Sequence, residues 1–246
     1  MEKISLQGVK NARDLGGIRT ADGKVIRKKH LIKSGQLFGA TPQDMQTLRD
    51  EYQVKLIVDL RTQTERTRYP DPEIRGISNI WNPIFKEDIQ GASVFTPGEK
   101  EILEKHLKAL FILNHCSDKM EDAAVEAVRE MVQKEQFDPE AYMARIYHKF
   151  VNNQVIQKQI KQFFSLLVNR RGGAVLWHCG AGKDRSGICC ALLLYALGVP
   201  KADIIEYYAA TEESSEDAVE YILEKLFPAS VPGNDRYQEI ARKIFG

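Results

Sequence analysis

Ala174-Val175-Leu176-Trp177-His178-Cys179-Gly180-Ala181-Gly182-Lys183-Asp184-Arg185-Ser186-Gly187 is the stretch whose reading decides the fold. Its first four residues form a short apolar run bounded by Gly172-Gly173, the pattern of a buried central strand. Past the loop at 179–185, the apolar run from Ser186 to Leu197 predicts a buried helix that stops at Gly198-Val199-Pro200. A strand entering a glycine-rich turn and a helix leaving it predict an α/β fold, with a central, mostly parallel sheet flanked by helices.

That turn also carries the chemistry. Successive backbone N–H groups ahead of a helix N-terminus can converge on one oxyanion, and glycines at 180, 182 and 187 permit the tight path. Gly180, Ala181, Gly182, Lys183, Asp184 and Arg185 are therefore expected to bind phosphate. Cys179 sits at the base of the cradle, and Arg185 returns to it as a planar fork for two phosphate oxygens. Amide dipoles, Lys183 and Arg185 together favour a thiolate, so Cys179 is the expected nucleophile. The reaction is then a two-step displacement through a cysteinyl phosphate, with neither metal nor cofactor required. Ser186 either donates a hydrogen bond to the departing sulfur or simply caps the helix. The loop is not the nucleotide-binding arrangement, in which Lys is followed directly by Ser or Thr. The plain alternative for Cys179 is a core thiol at a strand end, which leaves the glycines and Arg185 without a purpose.

Outward from this centre, turn signals at Gly16-Gly17 and Asp22-Gly23 separate β-prone pairs at Val25-Ile26 and Leu31-Ile32, predicting strands or a hairpin. Thr41-Pro42 opens a helix to about Glu51. Val54 to Leu60 is an apolar run expected as a buried strand, and Ile77 to Ile84 a shorter β-prone one. Helical spacing of apolar residues from 97 to 136 predicts an inserted helical segment, either a lid or an extension of the core. Helices follow near 138, over 154–169, 202–208, 212–226 and 235–245. The expectation is one catalytic domain over 1–246 with that insertion, and no internal repeat.

The chain has 35 basic and 34 acidic residues and a net charge of +1, which argues against bulk-charge binding of nucleic acid. A basic cluster between Lys3 and Lys33 either flanks an anionic substrate or is solvated surface. The start lacks a secretory apolar core, and the longest apolar run, Ile188 to Leu197, is too short to cross a bilayer. A cytoplasmic location without stable membrane insertion is expected, with Cys116, Cys179, Cys189 and Cys190 reduced. His30, His106, His115 and His148 show no informative spacing.

His178-Cys179-x-x-Gly182-Lys183-Asp184-Arg185-Ser186-Gly187 resembles the signature of the cysteine-dependent tyrosine phosphatase superfamily. More narrowly, it is similar to a bacterial and fungal group with dual- and triple-specificity members that act on phosphotyrosine and phosphoinositides. Asn11-Ala12-Arg13-Asp14-Leu15-Gly16-Gly17, Lys33-Ser34-Gly35 and Asp59-Leu60-Arg61 with Glu65 match the same group. The resemblance implies a phosphorylated protein, or a phosphoinositide or inositol phosphate, as substrate. Ser186 stands where Thr is usual and Lys33 where Arg is usual, and no Trp-Pro-Asp acid loop is visible. The general acid is then sought at Asp184, which the group is thought to use and which otherwise orients Arg185. Asp59 at a strand end comes second, and Asp71 in a proline-bounded turn third. His178 is expected to anchor the loop, Arg13 and Asp14 to support it, and Arg61 with Glu65 to form an ion pair. Lys183 suits a substrate with several phosphates, or serves only the thiolate. A non-catalytic phosphate-binding module and a rhodanese-like sulfurtransferase are the rival readings.

Overall fold

The structure is a computed structural model that describes residues 1–86 and 139–210, with positions 235 and 239 beyond them. The helical insertion expected over 97–136, the helix over 212–226, Asp138, Cys116, His106 and His115 lie outside the described residues, as does nearly all of 235–245. The chain divides into two compact units, Met1–Glu87 with Lys158–Thr211, and Asp88–Gln157 with Glu212–Gly246.

The first unit holds a six-stranded sheet: β1 (Glu2–Lys3), β2 (Arg13–Asp14), β3 (Leu31–Ser34), β4 (Val54–Asp59), β5 (Ser78–Trp81) and β6 (Ala174–His178). Their order is β1-β2-β3-β6-β4-β5. The β1, β2 and β3 pairings are antiparallel, and the rest are parallel. β6, apolar and central, is buried along its whole length. That is the behaviour of a strand covered on both faces.

Register sorts the side chains onto those two faces. Ile32, Leu176 and Ile57 lie abreast and join one core with Leu37, Leu48, Val54 and Ile74. The neighbouring row, Lys33, Trp177 and Val58, points the other way. There the Trp177 ring meets Phe163 edge-on at 5.6 Å, and its Nε1 donates to Ser186 O at 3.1 Å. A lysine therefore occupies a core row.

On the first face, helix α1 (Pro42–Gln46) begins at Thr41, whose hydroxyl accepts from Asp44 N while Asp44 accepts from Thr41 N. The Thr-Pro signal predicts the Thr41 half of this reciprocal cap, and Asp44 supplies the other half. The helix continues to Glu51 through a wider π-helical turn, Thr47–Glu51. Asp44 also accepts from Gln7 and Gly8 N. Burial opposes its charge, but these hydrogen bonds outweigh burial and hold its pKa below the ordinary value. Helix α2 (Gln63–Arg68) follows β4 and repeats the cap with Thr62 and Glu65.

Three boundaries differ from the sequence reading. Around Asp22-Gly23 the chain makes a single antiparallel bridge, Arg19 with Val25, in place of a strand pair. β5 stops at Trp81, three residues short of Ile84; the Asn82 N–H gives the last ladder bond, to Asp59 O at 2.8 Å. The helix after the loop, α5 (Asp184–Ala196), starts ahead of Ser186, so Ser186 lies inside its first turn and is not its cap. Helix α6 (Lys201–Ala209) closes the unit's described part.

In the second unit, helix α3 (Pro139–Asn152) leads to helix α4 (Gln154–Val168), which runs on into the first unit. Asn153 caps the start of α4, its Oδ1 accepting from Val155 N at 2.9 Å and Ile156 N at 3.2 Å.

Candidate active site

Parallel strands β3, β6 and β4 end side by side at Ser34, His178 and Asp59. Carboxyl ends of parallel strands are where open α/β sheets place their ligands. The 179–183 loop grows from the middle one. Gly182 takes a φ of +73°, and a side chain there would meet Gly35 N at 2.5 Å and Ser34 C at 2.6 Å. Glycine is thus required on both conformational and steric grounds.

The loop's carbonyls are tied outward. Gly180 O accepts from Gln36 N at 2.9 Å, Ala181 O from Asn11 Nδ2 at 3.2 Å, and Gly182 O from Asn11 Nδ2 at 3.0 Å and Lys33 Nζ at 3.1 Å. In a trans peptide the carbonyl and the following N–H point in opposite directions. Holding these three carbonyls outward therefore turns the amides of Ala181, Gly182 and Lys183 inward. The first intrahelical bond of α5 runs from Gly187 N to Lys183 O. The amides of Asp184, Arg185 and Ser186 consequently lack helical acceptors and add a positive helix end to the ring.

Arg185 is 3% exposed and held as a rigid fork. Its Nη1 and Nη2 donate to the two Glu65 oxygens at 2.6 and 2.7 Å, and it lies over the Phe85 ring at 5.8 Å. Burial disfavours its charge, but Glu65 outweighs burial and raises the pKa further. Glu65 responds in kind: burial would push its pKa up, yet Arg185 and the Thr62 N–H hold it below the ordinary value. The pairing engages two donors, and a guanidinium has about five, so an edge remains for an oxyanion. Cys179, 2% exposed, opens this loop and is near enough to Arg185 for its charge to act on the guanidinium. Lys183 and Asp184 are half-buried at its rim.

The remaining candidates form a layer beneath. Asp59 accepts from Arg61 N at 3.0 Å, Nε at 2.9 Å and Nη2 at 2.9 Å. Asp71 lies 2.9 Å from Arg61 Nη2 and 3.0 Å from His178 Nε2. Burial works against the charge on Asp71, but His178 and Arg61 hold its pKa well below the carboxylate range. For His178, burial works downward while Asp71 and Asp59 win and raise its pKa. Asp59 and Asp71 are thus committed to Arg61, whereas Asp184 stands at the rim. Asp59, Asp71 and His178 are near enough together to suggest a cation site. The Arg61 guanidinium already occupies both carboxylates, so the donor set does not fit a metal.

Two expected pairings change. Arg61 joins Asp59 and Asp71, not Glu65, because Glu65 turns to Arg185. Arg13 reaches the loop through Asn11, its Nε donating to Asn11 Oδ1 at 3.2 Å. Asp14 does not reach it: its oxygens accept from Gly16 N and Lys29 N, closing a distant turn. Lys24, Lys28 and Lys29 make exposed ion pairs with Asp22, Glu2 and Glu51 and are solvated surface. Sequence reasoning missed Glu65 as the partner of Arg185, and Asn11 and Gln36 as loop supports. The Thr62-x-x-Glu65 cap was the available signal for the first; for the others only distant chain contacts decide.

The model of the tyrosine phosphatase family matches residues 4–241. A tyrosine-protein phosphatase of Nostoc commune is 47% identical over 70 residues, 28% of this chain and 21% of that protein. A Cupriavidus necator protein with a provisional tyrosine-protein phosphatase name is 26% identical over 211 residues, 85% of this chain and 63% of its own length. The triple specificity protein phosphatase PtpB of Mycobacterium tuberculosis is 36% identical over 73 residues, 30% of this chain and 26% of that protein. The matches thus span less than two thirds of each relative.

Proposed function

The chain belongs to the tyrosine phosphatase family, and on that premise we propose that it hydrolyses phosphomonoesters through Cys179, by way of a cysteinyl-phosphate intermediate. The observation that carries this reading is the loop itself: three outward-tied carbonyls and a Glu65-locked guanidinium in the turn that Cys179 opens. Cys179 Sγ attacks phosphorus in line with the leaving oxygen, and inward amides with Arg185 match the charge on the equatorial oxygens. Asp184 donates the proton to the leaving oxygen, then takes one from the water that hydrolyses the thiophosphate. Ser186 assists the departing sulfur: its hydroxyl is fully buried in the first turn of α5 and has no hydrogen-bond partner among the described residues. No step in this sequence calls for a cofactor.

An aryl phosphate assay with Cys179→Ser tests the reading, together with acid-quench trapping of labelled phosphate on the protein. Turnover by the wild type, its loss in the variant with phosphate binding retained, and a trapped acid-labile phosphate are expected. Phosphate binding without turnover would leave a binding module. Persulfide formation from thiosulfate, with phosphate esters untouched, would leave a sulfurtransferase.

The substrate is a phosphorylated protein, a phosphoinositide or an inositol phosphate. Phosphotyrosine is the reading that family membership supports. The second reading rests on Lys183, which ends the loop as the residue preceding α5 and stays half-exposed, a second cation for a neighbouring phosphate. Phosphopeptides, phosphoinositides and inositol phosphates assayed side by side with Lys183→Met decide between them: selective loss on multiply phosphorylated substrates supports the second reading, and uniform loss removes it. Cys179, Cys189 and Cys190 are buried free thiols among the described residues. Among the described residues, no helix is long and apolar enough to cross a membrane.

A further inference from the structure

Asn11 adopts a φ of +54°, a region that glycine, asparagine and aspartate enter far more readily than other residues. From that turn its side chain reaches the phosphate loop, far away in sequence. Nδ2 donates to Ala181 O at 3.2 Å and to Gly182 O at 3.0 Å. A primary amide nitrogen carries two hydrogens, one for each carbonyl. The orientation of the amide is itself fixed, because Oδ1 accepts from Arg13 Nε at 3.2 Å while Arg13 Nη2 donates to Ala210 O at 2.8 Å. A continuous chain of hydrogen bonds thus runs from the end of α6 through Arg13 and Asn11 to two consecutive peptide planes of the loop.

We infer that Asn11 is a positioning residue for the phosphoryl transfer, setting the direction of the two peptide planes that offer the Gly182 and Lys183 amides to the oxyanion. This rests on the proposed reaction at Cys179. Planarity is the physical link: an oxygen held outward holds the next N–H inward, and a plane free to rotate presents its carbonyl, a repulsive dipole, to the phosphate for part of the time. Lys33 shares Gly182 O, so the inference concerns both planes but leans on the 181–182 plane.

Two variants separate positioning from mere support of the turn. Asn11→Asp keeps size and tolerance of positive φ but sets a carboxylate against two carbonyl oxygens. Asn11→Gly keeps the backbone and removes both donors without adding charge. Three quantities are measured on each: kcat/KM for an aryl phosphate, protection of Cys179 from iodoacetamide by inorganic phosphate, and the thermal midpoint. Loss of one preorganised donor costs about a hundredfold or more in oxyanion sites. Asn11→Asp is expected to lose about a hundredfold in kcat/KM and Asn11→Gly about tenfold, with phosphate protection weakened in the same order. If Asn11→Asp does not fold, Asn11→Gly decides alone. A lowered midpoint with unchanged phosphate protection in the folded variant would mean that Asn11 holds the turn only, and the inference would be overturned. Wild-type protein that binds phosphate in an Asn11-dependent way yet hydrolyses no ester would instead overturn the proposed reaction and leave the positioning intact.

Discussion

Lys33→Met should make this protein more stable at neutral pH while slowing it. Lys33 is 1% exposed in a core row of β3, among Gly187, Cys190, Ala191, Leu194, Ile204, Tyr207 and Tyr208. Burial, helped by the nearby Arg13 charge, pulls its pKa from 10.5 down to about 8, against smaller upward pulls from Cys190 and Cys179. At ~1.4 kcal/mol per tenfold step, that difference is about 3 kcal/mol by which folding disfavours the charged amine. Methionine has nearly the same length and none of this cost. The variant loses the hydrogen bond to Gly182 O, about 1.5 kcal/mol for a charged donor, together with whatever else the amine touches, so the net stabilisation is at most roughly 1.5 kcal/mol. For a chain of this size that raises the midpoint by no more than about 4 °C. The pH dependence has a defined sign. The folded-state pKa is depressed, so the wild type is penalised fully below pH 8 and recovers as pH rises toward 10.5. Urea or thermal denaturation at pH 7 and near pH 10 reads this directly, with a gap between variant and wild type that narrows at the higher pH. A variant less stable than wild type at pH 7, or a gap independent of pH, would refute the reasoning. The rate should fall several-fold, since Gly182 O keeps only its bond from Asn11.

Glu65→Gln removes the countercharge of a buried guanidinium and should cost about 3 kcal/mol; inorganic phosphate, by restoring an anion, should raise the midpoint of this variant more than that of wild type. Gly182→Ala forces a Cβ to within 2.5 Å of Gly35 N at a φ of +73°, so phosphate protection of Cys179 should vanish; retained protection would show that the loop path differs. His178→Asn tests the ion pair with Asp71. The folded-state pKa of His178 is raised above 6.5, so its contribution is complete below that pH and declines as pH rises through the raised value. The stability difference between wild type and His178→Asn, followed by denaturation from pH 6 to 9, should therefore shrink upward; a constant difference would show that His178 is neutral in the fold.

What the sequence made legible was local. β6, β4 and α1 were readable because their signals, an apolar run or a Thr-Pro cap, lie within the element itself. The cradle was readable because Cys179, the glycines and Arg185 occupy one turn. The start of α5 was misplaced because its first residues, Asp184 and Arg185, are charged and look like loop, although the free amides they leave at that helix end are the ones an oxyanion seeks. Arg61 and Glu65 were expected to pair, but Arg61 precedes the Thr62 cap, and Glu65 in the first turn of α2 turns to Arg185 instead. Asn11 carried no signal beyond its motif, since the carbonyls it serves are supplied by the far end of the chain.

The layer beneath the cradle buries an unusual amount of charge. The side chains of Asp59, Arg61, Asp71 and His178 are at most 4% exposed. Desolvating such a group costs several kcal/mol per ion, and apolar residues of the same volume often pack as well or better. Its return is therefore placement. Arg61 Nη1 donates to Gln36 Oε1 at 3.1 Å and to Tyr69 O at 2.8 Å, and Gln36 N donates to Gly180 O at 2.9 Å. His178, the last residue of β6, is clamped by Asp71 immediately before Cys179. The network thus fixes the direction in which the loop leaves the strand and the first of its peptide planes. Asn11 and Lys33 fix the next two from the other side. A loop that must present several amides to one anion cannot rely on glycine-rich backbone alone, because the freedom that lets it turn also lets each plane rotate. Outward ties from Gln36, Asn11 and Lys33 remove that freedom, and on the proposed reaction donors fixed in advance need no reorganisation when charge builds on the transferring group.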